Sequence, residues 1–488
     1  MSPLDRRSFI KSAAAGAGLL AAGKSAANAG PVNLALPSLG LPHVNPRTPI
    51  DHVVVVMMEN RSVDHNLGWY QPEAEGVTFD ATQERTYRDQ DGEAVPTAHW
   101  GRGGKGDFSG CGFKDPGHGH DHGLVQATPD PDSDQPAEPG GFLKTGSGND
   151  EFAVSYYEAD DIPVTKALTE QFTTFDRYFC SWLGSTYPNR EFMHSAQSGG
   201  ITNNDFPPQR AQQNPAWLTG FDWPTIWTAL DAKGVTWKYY YCNLPVIALW
   251  GPRHVKGARH ISEYYADCAA DTLPQVAFID PFFLLPDGLA NDDHPWADIR
   301  LGQMFLSDIS RSFMESKHWH DGALFITYDE WGGFWDHVTP PTVDDPRADD
   351  PIGQFGMLGF RVPTQLISPY TSGGRVDHAV YDHTSILKFI ETNWGLKKMS
   401  LWDKGTRDPK DRNIGNAFGS AYDVDARNDF LSTPHYEAPA TANVPCAGHD
   451  TPVSDLFQLL ENGWFDTYGF RTDFPFADAY RSTLPLLR

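Results

Sequence analysis

Three short stretches of this chain carry side chains of the kinds that build catalytic centres. "HVVVVMMENRS", residues 52–62, runs from an apolar, β-branched segment straight into Glu59 and Asn60. "ALFITYDE", residues 323–330, does the same with Asp329 and Glu330, and "WGGFWDH" follows with Asp336 and His337. Oxygen donors placed at the ends of separate buried strands are how a fold assembles a site for a hard divalent cation. A solvated strand end would explain either pair alone. Two such pairs, each abutting an apolar run, favour a metal site. The third stretch, "GSTYPNR", residues 184–190, sets Thr186 two residues before Pro188, which suits the first turn of a helix. A hydroxyl there faces free backbone N–H groups and the positive end of the helix dipole, an environment for an alkoxide nucleophile or a bound phosphate. Arg190 adds a cation, and Ser185 is the rival hydroxyl. A plain helix cap, worth about 1 kcal/mol, is the competing role for Thr186.

Histidines supply the remaining parts. His118 lies in "DPGHGHDH", His294 in "NDDHP", His337 after the second acidic pair and His383 in "DHTS". Such residues can protonate a leaving oxygen, bind a metal or hold a substrate. His120, His122 and His378 read as surface groups in polar loops.

The elements that must position these residues alternate along the chain. Strands are expected at residues 52–58, 175–183, 235–241, 275–280, 323–330 and 362–368. Helices are expected at 162–172, 223–234, 296–317 and 383–395. Near-continuous apolar strands alternating with helices imply a mostly parallel sheet covered on both faces, an α/β/α sandwich with its active site outside the carboxyl ends of the strands. Residues 71–150, rich in Gly, Pro, Asp and His, and residues 200–222, rich in Asn, Gln and Pro, are insertions into a single domain spanning residues 30–488.

Residues 1–29 read as a twin-arginine signal peptide: Arg6 and Arg7, a short Ala/Gly/Leu-rich run, and an Ala27-Asn28-Ala29 cleavage site. The expected location is periplasmic or secreted, with the twin-arginine export machinery as a partner. Removing that segment, with its four Lys/Arg and one Asp, takes the formal charge from −25 to −28. So acidic a body disfavours nucleic acid as a partner, and no stretch is apolar enough for a transmembrane anchor. The five cysteines lack metal spacing, and Cys242 with Cys268 is the first disulfide to test, while Cys180 reads as a buried thiol.

Together, "MMENRSVDHNLG", "DRYFCSWLGSTYPNR", "NDDHP" and "ITYDEWGGFWDHVTPP" resemble a bacterial phosphoesterase family. It holds phosphatidylcholine-type phospholipases C and a periplasmic acid phosphatase, within the alkaline-phosphatase-like superfamily. The resemblance runs from about residue 50 to about residue 395. It implies Glu59, Asn60, Asp329 and Glu330 as ligands of a divalent ion (Ca, Zn, Mg or Mn) and Thr186 as a metal-bound nucleophile forming a phosphothreonine. It assigns His118, His294 and His337 to phosphate binding and proton transfer. Trp331 and Ser185 depart from the family's usual His and Pro. The T-x-P-x-R spacing at 186–190 is also that of sulfatases, whose nucleophile derives from Cys or Ser, so threonine disfavours that activity. The implied substrate is a phospholipid or a small phosphate ester. Phospholipase C acting on phosphocholine-type lipids comes first, a broad acid phosphatase second, and a non-catalytic binding protein on the same fold third. For a choline group, Trp100, Trp217, Trp223, Trp331 and Trp335 are candidates for an aromatic cage.

Overall fold

Strand β1 (His52–Met58) lies at the centre of an eight-stranded sheet, all of it buried except His52. The computed structural model describes residues 49–442 and 463–470, apart from residues 75, 134, 146–148, 284–289, 372, 420–422 and 424. The other sheet strands are β2 (Thr173–Phe175), β3 (Trp237–Tyr241), β4 (Ala258–His260), β5 (Val276–Asp280), β6 (Gly322–Tyr328), β7 (Gln365–Ile367) and β8 (Val376–Asp377). Their spatial order is β8-β2-β7-β6-β1-β5-β3-β4. Seven strands point the same way, and β7 alone runs antiparallel, to β6 and to β2.

Strands buried on both faces need cover on both faces, and the helices provide it in two groups. After the short α1 (Val63–Leu67), helices α2 (Pro163–Gln171), α5 (Ile261–Ala270), α6 (Ile299–Glu315) and α8 (Asp425–Ser432) pack with one another. Helices α3 (Thr186–Ser195), α4 (Ile226–Lys233) and α7 (His383–Asn393) form the second group. The fold is the expected α/β/α sandwich. Helix α4 stops where its glycine required: Gly234 takes φ 76°.

The ladder sets the site. Met58 of β1 lies opposite Tyr328 of β6, and Val56 opposite Ile279 of β5. Glu59-Asn60, Asp329-Glu330 and Asp280 therefore leave three adjacent parallel strands at one edge.

Three expectations are corrected. Residues 175–183 are not a strand: past Phe175 the chain bends and forms only isolated bridges, Tyr178 to Tyr381 and Phe179 to Arg361. Its aromatic side chains are consumed by packing, with Trp182 stacked between His120 and Phe355. His120, expected at the surface, is accordingly buried, its Nδ1 bonded to the Leu183 carbonyl at 2.5 Å. Cys242 and Cys268 are free, buried thiols, as is Cys180. It is Cys111 that is disulfide-bonded. The insertion at 71–150 is tied down by an apolar cluster that includes Trp100, Phe108, Phe152, Tyr157 and Phe334. No helix among the described residues is long and apolar enough to cross a membrane. The signal-peptide segment lies outside the described residues.

Candidate active site

Two backbone amides converge on one carboxylate oxygen to organise the strand ends. Asn60 N–H and Glu330 N–H both donate to Asp329 Oδ1, at 3.1 and 2.7 Å. The Asp329 carbonyl accepts His383 Nε2–H at 2.7 Å, and His383 Nδ1 in turn accepts from Tyr178 Oη–H at 3.2 Å. Burial holds His383 neutral, its pKa pushed down to about 4.

Asn60 adopts φ 62°, the left-handed region that asparagine tolerates best after glycine. Such strain collects at functional sites. The chain can close over it because Gly332 follows with φ 64°, where a Cβ would sit 2.3 Å from the Asn60 carbonyl. Gly332 N–H also donates to Glu330 Oε2 at 2.6 Å.

Thr186 is the first residue of α3, nearly buried. Ser185 sits at the cap position, yet its side chain makes no cap bond, so neither hydroxyl is spent on capping. The turn is clamped by Asn189, whose Nδ2 donates to the carbonyls of Trp182, Gly184 and Ser185 while its Oδ1 accepts Trp182 N–H. Arg190, four residues after Thr186 and so on the same helix face, donates Nε–H to Asp329 Oδ2 at 3.0 Å and approaches Asp280 at 3.3 Å. It also donates to the Met58 carbonyl at 3.1 Å. The Thr186 helix is thereby fastened to the strand ends through a buried guanidinium.

The charge at this edge is one-sided. Glu59, Asp292, Asp329 and Glu330 are buried together, with Arg190 as the compensating cation. Burial and the neighbouring Asp292 and Asp329 push Glu59 well above the ordinary carboxylate range, and burial with Asp329 does the same to Glu330. Burial pushes Asp280 up to about 6 despite Arg190. Asn60 Oδ1 and Glu330 Oε1 are buried acceptors without a hydrogen-bond partner, a condition that ordinarily costs about 1–3 kcal/mol per group. Clustered carboxylates with unmet oxygen acceptors are what a hard cation requires, so these residues fit a divalent metal.

Two of the three expected histidines reach this edge. His118 Nε2 lies 3.7 Å from Glu330 Oε1, and its Nδ1–H donates to the Pro116 carbonyl at 2.7 Å. His294 Nε2 lies 3.8 Å from Asp115 Oδ2, and its Nδ1 is buried without a partner. Burial, His118 and Arg61 hold His294 well below its usual pKa.

His337 is placed elsewhere. Nδ1 pairs with Asp64 at 2.6 Å and Nε2 with Asp80 at 3.0 Å. Both nitrogens are thus occupied, so the expected proton-transfer role does not follow from its position. Against the cost of burial, these carboxylates raise its pKa to about 10. Asp64, Asp336 and His337 bring three potential ligand atoms within 4.8 Å, but Arg361 already supplies the cation, with Nε 3.0 Å from Asp336 and Nη2 3.4 Å from Asp64.

A stability prediction arises here. The raised folded-state pKa of His337 contributes stability that is complete below its unfolded value near 6.5 and is lost as pH rises through about 10. His337→Ala is expected to cost about 3–5 kcal/mol at pH 6, with the gap to wild type narrowing as pH rises toward 10.5. Urea unfolding across that range checks it, and a gap independent of pH would refute the charged pairing.

The candidate tryptophans do not share a cage. Trp100 lies in the insertion's cluster, Trp331 Nε1–H bonds Gln126, and Trp335 Nε1–H bonds the Ser155 carbonyl. Only Trp217 and Trp223 touch, with ring centroids 5.5 Å apart in the core. Asp292, Asp280 and Asn189 were not singled out from the sequence as site residues. Asp280 carried a usable signal, since "QVAFID" ends in an acid like the two other strands.

A model of the phosphoesterase family matches residues 50–397, and the chain belongs to that family. It is a hydrolase acting on phosphoric ester bonds. Non-specific phospholipase C4 of Arabidopsis thaliana is 32% identical over 384 residues, covering 72% of this chain and 69% of that protein. Phospholipase C B of Mycobacterium tuberculosis (strain ATCC 25618 / H37Rv) is 30% identical, covering 99% of this chain and 95% of that protein. A solved phosphonate monoester hydrolase of Agrobacterium radiobacter aligns over 71% of this chain and 74% of its own at 10% identity and TM-score 0.31.

Proposed function

We propose that this protein is an exported, metal-dependent phospholipase C that cleaves phosphocholine-type lipids through Thr186. The observation that carries the reading is the pair of buried, unpartnered acceptors, Asn60 Oδ1 and Glu330 Oε1, at the edge where the Thr186 helix docks through Arg190. The phospholipase C relatives support the substrate class. Residues 30–488 would form one catalytic domain.

Glu59, Asn60, Asp329 and Glu330, with Thr186 Oγ1, would hold the divalent ion, which when bound lowers the hydroxyl pKa and neutralises charge on the phosphoryl group. Thr186 gives up its proton to solvent water and forms the Oγ1–P bond as the P–O bond to diacylglycerol breaks. The departing oxygen takes a proton from His118, while His294, held neutral by burial, would hydrogen-bond the phosphoryl group. Asn189 and Arg190 hold the attacking turn in place throughout. Water then cleaves the phosphothreonine ester and releases phosphocholine. A monoester would follow the same two steps and release phosphate, which is the acid phosphatase reading.

Purified protein is expected to hydrolyse p-nitrophenylphosphorylcholine at least about tenfold faster, in kcat/KM, than p-nitrophenyl phosphate. The reverse preference would establish the phosphatase reading, and inactivity on both would favour the binding-protein reading. Export by the twin-arginine route predicts that replacing Arg6 and Arg7 by lysine retains the protein in the cytoplasm, read by cell fractionation. Unchanged export would refute that route.

A further inference from the structure

A second cluster of ligand-type side chains lies at the opposite end of β1 from the catalytic edge. His52 opens β1 and pairs in register with Gly322, the first residue of β6. Asp321 immediately precedes that glycine, and His318 lies in the 3-10 turn Lys317–Asp321. The backbone locks this junction, since Asp51 N–H donates to the Asp321 carbonyl at 2.7 Å. His52, His318 and Asp321 each offer one ligand atom, and these atoms lie within 4.8 Å of one another. Seven residues of extended chain, at about 3.3 Å each, separate His52 from Glu59, so this group is distinct from the catalytic carboxylates.

Three observations point to a ligand. His318 Nε2 and Asp321 Oδ1 are both buried without a hydrogen-bond partner. The two imidazole rings approach with centroids 3.9 Å apart, a distance at which two protonated rings would repel. His52 Nδ1–H donates to the Pro274 carbonyl at 3.0 Å, leaving Nε2 as the lone-pair nitrogen. A backbone carbonyl fixing the distal N–H is the usual outer support of a metal-bound histidine. Asp51 adds negative charge next to Asp321. No comparable arginine is paired with this group among the described residues, in contrast to the Asp64–Asp336–His337 group.

The geometry points to a second metal site in which His52, His318 and Asp321 bind a zinc-class divalent ion and fasten the turn before β6 to the start of β1. Two imidazoles and one carboxylate form a donor set that suits zinc, with water completing the tetrahedron.

The test uses the full-length protein made without a polyhistidine tag. Wild type, His318→Ala and the near-isosteric Asp321→Asn are incubated with zinc, desalted and analysed for metal by plasma mass spectrometry. The expected result is one zinc equivalent fewer in each variant, with kcat/KM unchanged within about twofold. Zinc should also raise the wild-type Tm by several degrees more than it raises that of either variant. Should His318→Ala fail to fold, Asp321→Asn gives the same two readouts. Equal zinc content and equal Tm shifts in wild type and Asp321→Asn would overturn the site.

Discussion

Thr186→Ala is expected to lower kcat/KM on p-nitrophenylphosphorylcholine by at least about 10^4-fold, which corresponds to about 5.5 kcal/mol of lost transition-state stabilisation. The size follows from the two-step route: without a hydroxyl no covalent intermediate forms, and only binding and charge complementarity remain. The fold should not suffer. Thr186 is the first residue of α3, and the turn is held by Asn189 and Arg190, so stability should change by only about 1 kcal/mol. Ser185→Ala serves as the discriminating control. Ser185 makes no cap bond, so its loss should leave activity within a few fold. If Ser185→Ala is the dead variant and Thr186→Ala is active, the nucleophile is misassigned.

Removal of the divalent ion with a chelator is expected to reduce activity by about 10^3-fold or more, restored by adding back one divalent species. Glu330→Gln should reproduce the loss without rescue. The electrostatics give this prediction a thermodynamic counterpart. In metal-free protein the raised values of Glu59 and Glu330 mean that the folded state holds protons the unfolded state has released. Their contribution is therefore most favourable below the ordinary glutamate range near 4.5 and is lost as pH rises through the raised values. A bound cation removes that penalty, so the Tm difference between loaded and metal-free protein should widen from pH 4 to pH 8. Calorimetry of both forms measures it. A difference that narrows with pH would mean that the carboxylates are not the ligands.

The parts of this edge legible in the sequence are those where local pattern and position in the fold coincide. An apolar β-branched run that ends abruptly in Glu59-Asn60 or Asp329-Glu330 announces both the strand and the sheet edge, because a parallel sheet brings its carboxyl ends to one side. The turn at 184–190 was legible through Pro188 and the spacing of Thr186 and Arg190. His337 was not, because its partners Asp64 and Asp80 lie far away in sequence and only the fold delivers them. The aromatic run at 175–183 misled for a related reason. Strand propensity there was overridden by tertiary packing, which took Trp182 into a stack with His120. Cys242 and Cys268 illustrate the same limit, since spacing cannot show that the turn after β3 and helix α5 bury them as separate thiols.

The most direct test is to catch the intermediate. Metal-loaded enzyme is mixed with p-nitrophenylphosphorylcholine, quenched in acid within the first turnover, digested and mapped by mass spectrometry. The peptide containing residues 184–190 should carry the substrate's phosphoryl group on Thr186, and Thr186→Ala should carry none. A first-turnover burst with Thr186 unmodified, or with the group on another residue, would contradict the assignment of this edge as the catalytic centre.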